Sequence, residues 1–311
     1  MTGHKPYRDY ADFLSRHFDG KVQKLAVDAG FTCPNRDGSK GLGGCIYCNN
    51  SAFNTSYCNP QSSVTDQLEA GKHFFAGKYP KMQYLAYFQA HTNTYASLER
   101  LKVLYEEALA VDGVVGIVIS TRPDCVSDEL LTYLKELQRH AFVMLEYGIE
   151  SLNDATLKLI NRCHNSTISV EMIHKTATFG IPMCAHLILG LPGETVADML
   201  STVQQISQLP VDVVKFHQLQ VIRGTRLAQM LEKGEFVLET CSAQQYVALV
   251  AHLLQHLSPE IAVERFVSES RGSMLVSPKW GIKPQEFNRK LFTHMQEHSI
   301  FQGQKFNFIG K

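Results

Sequence analysis

The chain has 311 residues, 44% of them hydrophobic and 19% charged, and 30 Lys and Arg balance 30 Asp and Glu. That is apolar material for one large core or two modest ones, and the neutral balance argues neither for nor against a polyanionic partner. The start, Met1 to Ala11, lacks the apolar stretch of a signal peptide, and no apolar run approaches the roughly 18 residues that span a bilayer, so a cytoplasmic protein without a membrane partner is expected. In that compartment the eight cysteines read as metal ligands or reduced thiols, not as a disulfide framework.

An N-terminal segment, 1–20, precedes a long alternation of short apolar runs and amphipathic stretches over 21–225. Strands are expected at Lys24–Asp28, Gln83–Phe88, Val114–Ser120, Val143–Gly148, Met183–Leu189 and Val213–His217. Most are continuous β-branched or aromatic runs, as strands buried on both faces should be. Between them, Leu98, Leu101, Val103, Leu104, Tyr105, Ala108 and Leu109 make one helical stripe. Leu130, Leu131, Leu134 and Leu137 make another, opened by Ser127 with Asp128 and Glu129 in its first turn, and Thr195 opens a third. Connections too long for hairpins imply a parallel sheet, either a partial barrel or a doubly wound open sheet. An extension, 226–311, follows, with helices at Leu227–Glu232 and Ala243–Leu257, a strand at Ile261–Val267 and an irregular tail. Residues 261–311 carry eight Lys or Arg against four Glu, interleaved with Trp280, Phe287, Phe292, Phe301, Phe306 and Phe308. Cations beside stacking faces suit RNA; a tail lying across the barrel mouth is the other reading.

The loop after the first strand carries Cys33, Cys45 and Cys48 among Gly38, Gly41, Gly43 and Gly44. A structural zinc site closes with four ligands, so three thiolates on one glycine-rich loop suit an iron–sulfur cluster with one iron left open. Tyr47 adds an aromatic face beside that iron. The alternative is a zinc knuckle completed by Cys58 or a histidine, in a zinc-dependent RNA-binding or scaffold protein without enzymatic activity. The other cysteines, Cys125, Cys163, Cys184 and Cys241, are far apart in sequence and are expected to be buried or free thiols.

The loop resembles the cluster loop of the radical S-adenosylmethionine (SAM) enzymes. Eleven residues separate Cys33 from Cys45, where most of that superfamily has three. A wide first gap with a tight Cys-x-x-Cys is similar to the branch containing the catalytic subunit of Elongator, which modifies the wobble uridine of tRNA. The resemblance implies a partial (β/α)6 TIM-type barrel, a [4Fe-4S] cluster on Cys33, Cys45 and Cys48, and SAM chelating the fourth iron. It also implies an external one-electron reductant of flavodoxin or ferredoxin type, and cleavage of SAM to a 5′-deoxyadenosyl radical that takes a hydrogen atom from the substrate. Tyr47, Gln89 at the end of the second strand, Glu150 and Arg162 after the fourth, and His186 in the fifth fall where the family binds SAM. His91, Lys215 and His217 are the candidates for the substrate side, where histidine or lysine can move a proton. The Elongator-like loop implies tRNA or a related RNA as partner; a small-molecule metabolite is the rival substrate.

Overall fold

The computed structural model describes residues 5–76, 82–235 and 241–307. Helix α1 (Tyr10–Leu14) is closed by an Asp9–Asp12 capping box and leads into β1 (Val22–Val27). There follow α2 (Val64–Phe75), β2 (Gln83–Phe88), α3 (Leu98–Leu109), β3 (Val114–Thr121), α4 (Asp128–Leu137) and β4 (Phe142–Glu150). Then come α5 (Asp154–Leu159), α6 (Ser166–Thr178), β5 (Met183–Leu189), α7 (Val196–Ile206), β6 (Val213–Gln218) and a short β7 (Val221–Ile222). The chain finishes with α8 (Arg226–Glu232), α9 (Ala243–Leu254), β8 (Ala262–Arg265), β9 (Leu275–Ser277) and α10 (Pro284–Glu297). Ser127 and Thr195 do cap α4 and α7, each accepting a backbone N–H of the first turn.

Seven parallel strands lie side by side in the order β1-β2-β3-β4-β5-β6-β8. This is the half-barrel of the expected fold, with a seventh strand supplied by the extension. Alternate residues separate two environments. Leu25, Val27, Phe88, Ile117, Ile119, Leu145, Leu187 and Phe216 face outward into the helix layer, where most of the core lies. On the α3 stripe, Val103 is 65% exposed, because at 100° per residue it points away from the face set by Leu101, Tyr105 and Ala108.

The interior is layered along the barrel axis. At the N-terminal ends of the strands, Phe13 of α1 joins Leu85, Val118, Met144, Val213 and Ala262 in an apolar plug, with Phe18 edge-on to Phe142. The N-terminal segment is thus the barrel's floor. Its last extended residue, Asp9, pairs with Val263 of β8.

The tail is not irregular. Helix α10 sends Phe287, Leu291 and Met295 into the core, Trp280 stacks on Phe287, and β9 pairs antiparallel with β7. Phe308 and Lys311 lie outside the described residues. No described helix is long and apolar enough to cross a membrane.

Candidate active site

At the C-terminal ends of the strands a cavity of about 350 Å³ opens, the face on which barrel enzymes place their chemistry. Cys33, Cys45, Cys48, Tyr47, Gln89, His91, Glu150, Arg162, His186 and His217 all line it. Lys215 does not.

The cysteine loop folds on itself. Backbone bonds run from Arg36 N to Cys33 O (2.8 Å), Lys40 N to Pro34 O (2.9 Å) and Gly44 N to Asn35 O (2.8 Å), and Asp37 pairs with Leu42 across a small antiparallel bridge. The eleven residues between Cys33 and Cys45 are therefore consumed in a local hairpin. Gly41 sits at its crowded point, where a Cβ would come within 2.7 Å of Asn35 Oδ1 and Cys163 Sγ. The loop is pinned to the end of α5: Ile46 N bonds Ile160 O (3.1 Å), and Asn161 Nδ2 donates to Gly44 O (2.8 Å). Asn35, fully buried, donates to the backbone of Asn161 and approaches Cys45 Sγ at 3.4 Å.

Cations converge on these thiols. Arg162 Nη1 lies 3.7 Å from Cys45 Sγ, Arg36 Nη2 donates to Cys48 O (2.9 Å), and Arg122 Nη2 donates to Arg162 O (2.9 Å) while its Nε pairs with Asp124. Arg122 Nη1 and Arg162 Nε are buried without a partner. Burial and the neighbouring Cys45 push the Cys48 thiol up to about 11, although Arg36 beside it works the other way. Three crowded thiols need a metal cation to ionise together, and unspent guanidinium N–H groups around them need an anion. The donor set fits a thiolate-bound cluster and a carboxylate-bearing ligand. Cys58 sits elsewhere, its thiol against Ala26 O (3.2 Å) and the Thr55 hydroxyl, so it does not complete a four-ligand zinc site.

Glu150 is aimed by a bulge in β4, where the register with β5 shifts between Gly148 and Glu150. It lies 3.6 Å from Arg162 Nη2. A Cβ on Gly148 would meet that nitrogen at 2.7 Å and Glu150 Oε1 at 2.8 Å, so glycine is required for both to reach the cavity. Four of the five described non-glycine residues with positive φ are His91, Glu150, Asn161 and Cys163, and such strain gathers where a site over-determines the backbone. Asn93, in the segment after β2, donates to Phe88 O (3.0 Å) and Ser120 O (2.8 Å) and so shapes the turn instead of facing the cavity.

Beneath the cavity lies an arrangement the sequence reading missed. Lys24 Nζ bonds Glu146 Oε1 and Glu264 Oε2, both at 2.6 Å, and Lys215 Nζ bonds Glu146 Oε2 (2.6 Å) and Glu264 Oε1 (3.1 Å). Two lysines and two glutamates close a neutral square, with the Tyr87 ring 4.7 Å from Lys215 Nζ. Burial would raise the Glu146 carboxyl, but Lys215, Lys24 and the His186 bond hold it well below the usual range. Burial and then Lys215 push His186 down. The imidazole is neutral, with Nε2–H donated to Glu146 Oε2 at 2.9 Å and Nδ1 left as an acceptor. Glu146, Cys184 and His186 have the spacing of a metal site, yet Glu146 is already spent on three donors. The signal was present: Lys24, Glu146 and Lys215 are charged residues set among the apolar residues of their strands.

The Radical SAM superfamily profile matches residues 33–206, and a Radical SAM C-terminal domain profile matches 211–297. The chain belongs to the radical SAM superfamily. It is therefore a radical SAM enzyme, whose cofactors are a 4Fe-4S cluster and SAM. Protein YtqA of Bacillus subtilis is 35% identical over 302 residues, covering 97% of this chain and 93% of YtqA. The tRNA uridine(34) acetyltransferase of Methanocaldococcus infernus is 22% identical over 189 residues, 60% of this chain and 34% of that enzyme. Among solved structures, Elp3 of Methanocaldococcus infernus superposes with a TM-score of 0.69 at 16% identity, over 91% of this chain and 64% of that one. This radical SAM chain thus shares its fold with the Elongator-like branch.

Proposed function

We propose that this radical SAM enzyme takes a hydrogen atom from a base of tRNA, the wobble uridine or a related position. The observation that carries the reading is the likeness, over 60% of this chain, to an enzyme named for uridine 34 of tRNA. Only about a third of that enzyme is matched, so acetyl transfer is no part of the proposal.

Cys33, Cys45 and Cys48 would hold the cluster, and Arg162, Glu150, Gln89 and Tyr47 would hold SAM. Together the two groups supply an electron and a carbon radical able to abstract hydrogen. The chain's own part is to bind, orient and exclude water. The Arg162 guanidinium suits a carboxylate, and Glu150 suits hydroxyl donors. His186, fixed as one tautomer by Glu146, presents an acceptor to the substrate. Lys215 acts only through that carboxylate. A one-electron donor of flavodoxin or ferredoxin type would feed the cluster. Arg271, Lys279, Lys283, Arg289 and Lys290 remain exposed for phosphate capture, although Phe287 and Trp280 are taken up by the core and offer no stacking face.

The test is anaerobic reaction of reduced holoenzyme, SAM and tRNA from cells lacking the gene, followed by mass spectrometry of the nucleosides. One nucleoside of altered mass should appear with 5′-deoxyadenosine, and Cys45→Ala should lose both iron and product. Turnover of a filtered metabolite pool with tRNA unchanged would transfer the reading to a small-molecule substrate.

A further inference from the structure

A second polar group in the same cavity lies apart from the thiols, built around Ser268 just after β8. Ser268 O accepts from Gln218 Nε2 (2.9 Å) and Gln220 Nε2 (3.0 Å), Ser268 N donates to Gln218 Oε1 (2.7 Å), and its hydroxyl meets His217 Nδ1. Gln218 is used at both ends. Gln220, more than nine-tenths buried, is not. A backbone carbonyl demands a donor, so its amide nitrogen must face Ser268 and its Oε1 must point away. That Oε1 is buried with no partner. Arg265 repeats the pattern. Its Nη2 rests 3.4 Å from the His217 ring nitrogens, its Nε is buried with no partner, and among the described residues it forms no ion pair.

A buried donor and a buried acceptor left unmade are each a standing cost that a bound ligand would relieve. Both residues line the cavity, and their side-chain bonds go to Ser268 and His217, apart from the thiols. We infer that Arg265 and Gln220 form the substrate subsite, and that it takes a planar edge carrying a carbonyl acceptor next to an N–H donor, as in an imide or primary amide. The carbonyl would accept from Arg265 Nε and the N–H would donate to Gln220 Oε1. A bare carboxylate satisfies the arginine but sets an anionic oxygen against the glutamine's oxygen, so it is disfavoured. This deepens the tRNA reading, and rests on it only for the source of the edge.

The experiment follows SAM cleavage by reduced holoenzyme as a function of added substrate pool. The pools are tRNA or filtered small metabolites, each from cells lacking the gene. The proteins are wild type, Gln220→Leu, Arg265→Met, and Arg265→Gln, which keeps an N–H donor; iron content confirms that each is assembled. With the pool that stimulates wild type, Gln220→Leu and Arg265→Met should raise the half-saturating concentration on the order of ten- to a hundredfold. Arg265→Gln should recover part of that loss, and maximal stimulation should fall far less. Stimulation by metabolites alone would sink the tRNA reading and leave the same series to decide the subsite. Half-saturation unmoved in both truncations, a loss confined to the maximal rate, or a wild type that neither pool stimulates would overturn the inference.

Discussion

Replacing Lys215 by methionine removes one corner of the buried square and leaves Glu146 and Glu264 sharing Lys24 alone. The four side chains are 13%, 0%, 1% and 15% exposed in the order Lys24, Glu146, Lys215, Glu264, so water does little to screen the loss. Breaking a buried ion pair from one side costs about 3–5 kcal/mol, which at about 2 °C per kcal/mol for a chain of this size lowers the melting temperature by roughly 6–10 °C. The double variant Lys215→Met/Glu264→Gln removes opposite charges together and leaves the Lys24–Glu146–His186 contacts whole. Its penalty should fall short of the summed singles by at least about 1 kcal/mol. A pH arm follows from His186, which Lys215 now pushes down. Burial still opposes the charge without Lys215, but the depression is smaller, so the variant loses less stability than wild type as pH falls through the ordinary histidine range, where the unfolded chain takes up the proton. Thermal melts by circular dichroism at pH 5.5 and 8 should therefore show the smaller Lys215→Met penalty at 5.5. A shift under about 1 °C at both pH values, or strictly additive penalties, would refute the account of the square.

Glu194 gives a separate pH prediction. Burial raises its carboxyl to about 7, against the opposing bond from Ser151, so the folded state holds a proton that the unfolded chain releases near the ordinary value of 4.5. Stability on its account falls as pH rises from about 4.5 to 7, and Glu194→Gln should gain more in melting temperature over wild type at pH 8 than at pH 5.5; equal gains would sink this. Arg162→Ala and Glu150→Ala should weaken SAM binding at least about tenfold, measured by calorimetry, with iron retained; unchanged affinity in both would show that SAM is held by other residues.

What the sequence disclosed depended on how local the signal was. Strands buried on both faces announce themselves as apolar runs, and all six core strands lie where those runs stand. Three cysteines on one glycine-rich loop needed no tertiary information to suggest a cluster. Helix α10 was missed because Lys283 offers no side-chain cap, yet Pro284 at its first position and Phe287, Leu291 and Met295 at helical spacing were legible signs. The Lys24–Glu146–Lys215–Glu264 square joins four strands separated by up to 240 residues, and no periodicity reveals which distant charges will meet. The unspent atoms of Gln220 and Arg265 are likewise visible only once every neighbour has claimed its bonds.

Gln302 ties the segment before α1 to the end of the fold, and this couples closure of the barrel to its last strand. Gln302 Nε2 donates to Ser258 O (2.6 Å) and Ile261 O (2.7 Å), its Oε1 accepts from Arg8 N (2.9 Å), and its own N–H reaches Pro6 O (2.8 Å). The segment that floors the barrel therefore has this anchor only once Gln302 is in place. Without β8 in place the square also lacks Glu264, and Lys24 and Lys215 share the single carboxylate of Glu146. The same strand that neutralises the interior brings Arg265, and just beyond it Ser268, to the cavity. Closure of the barrel by β8 and completion of the cavity wall that carries Arg265 and Ser268 are therefore coupled.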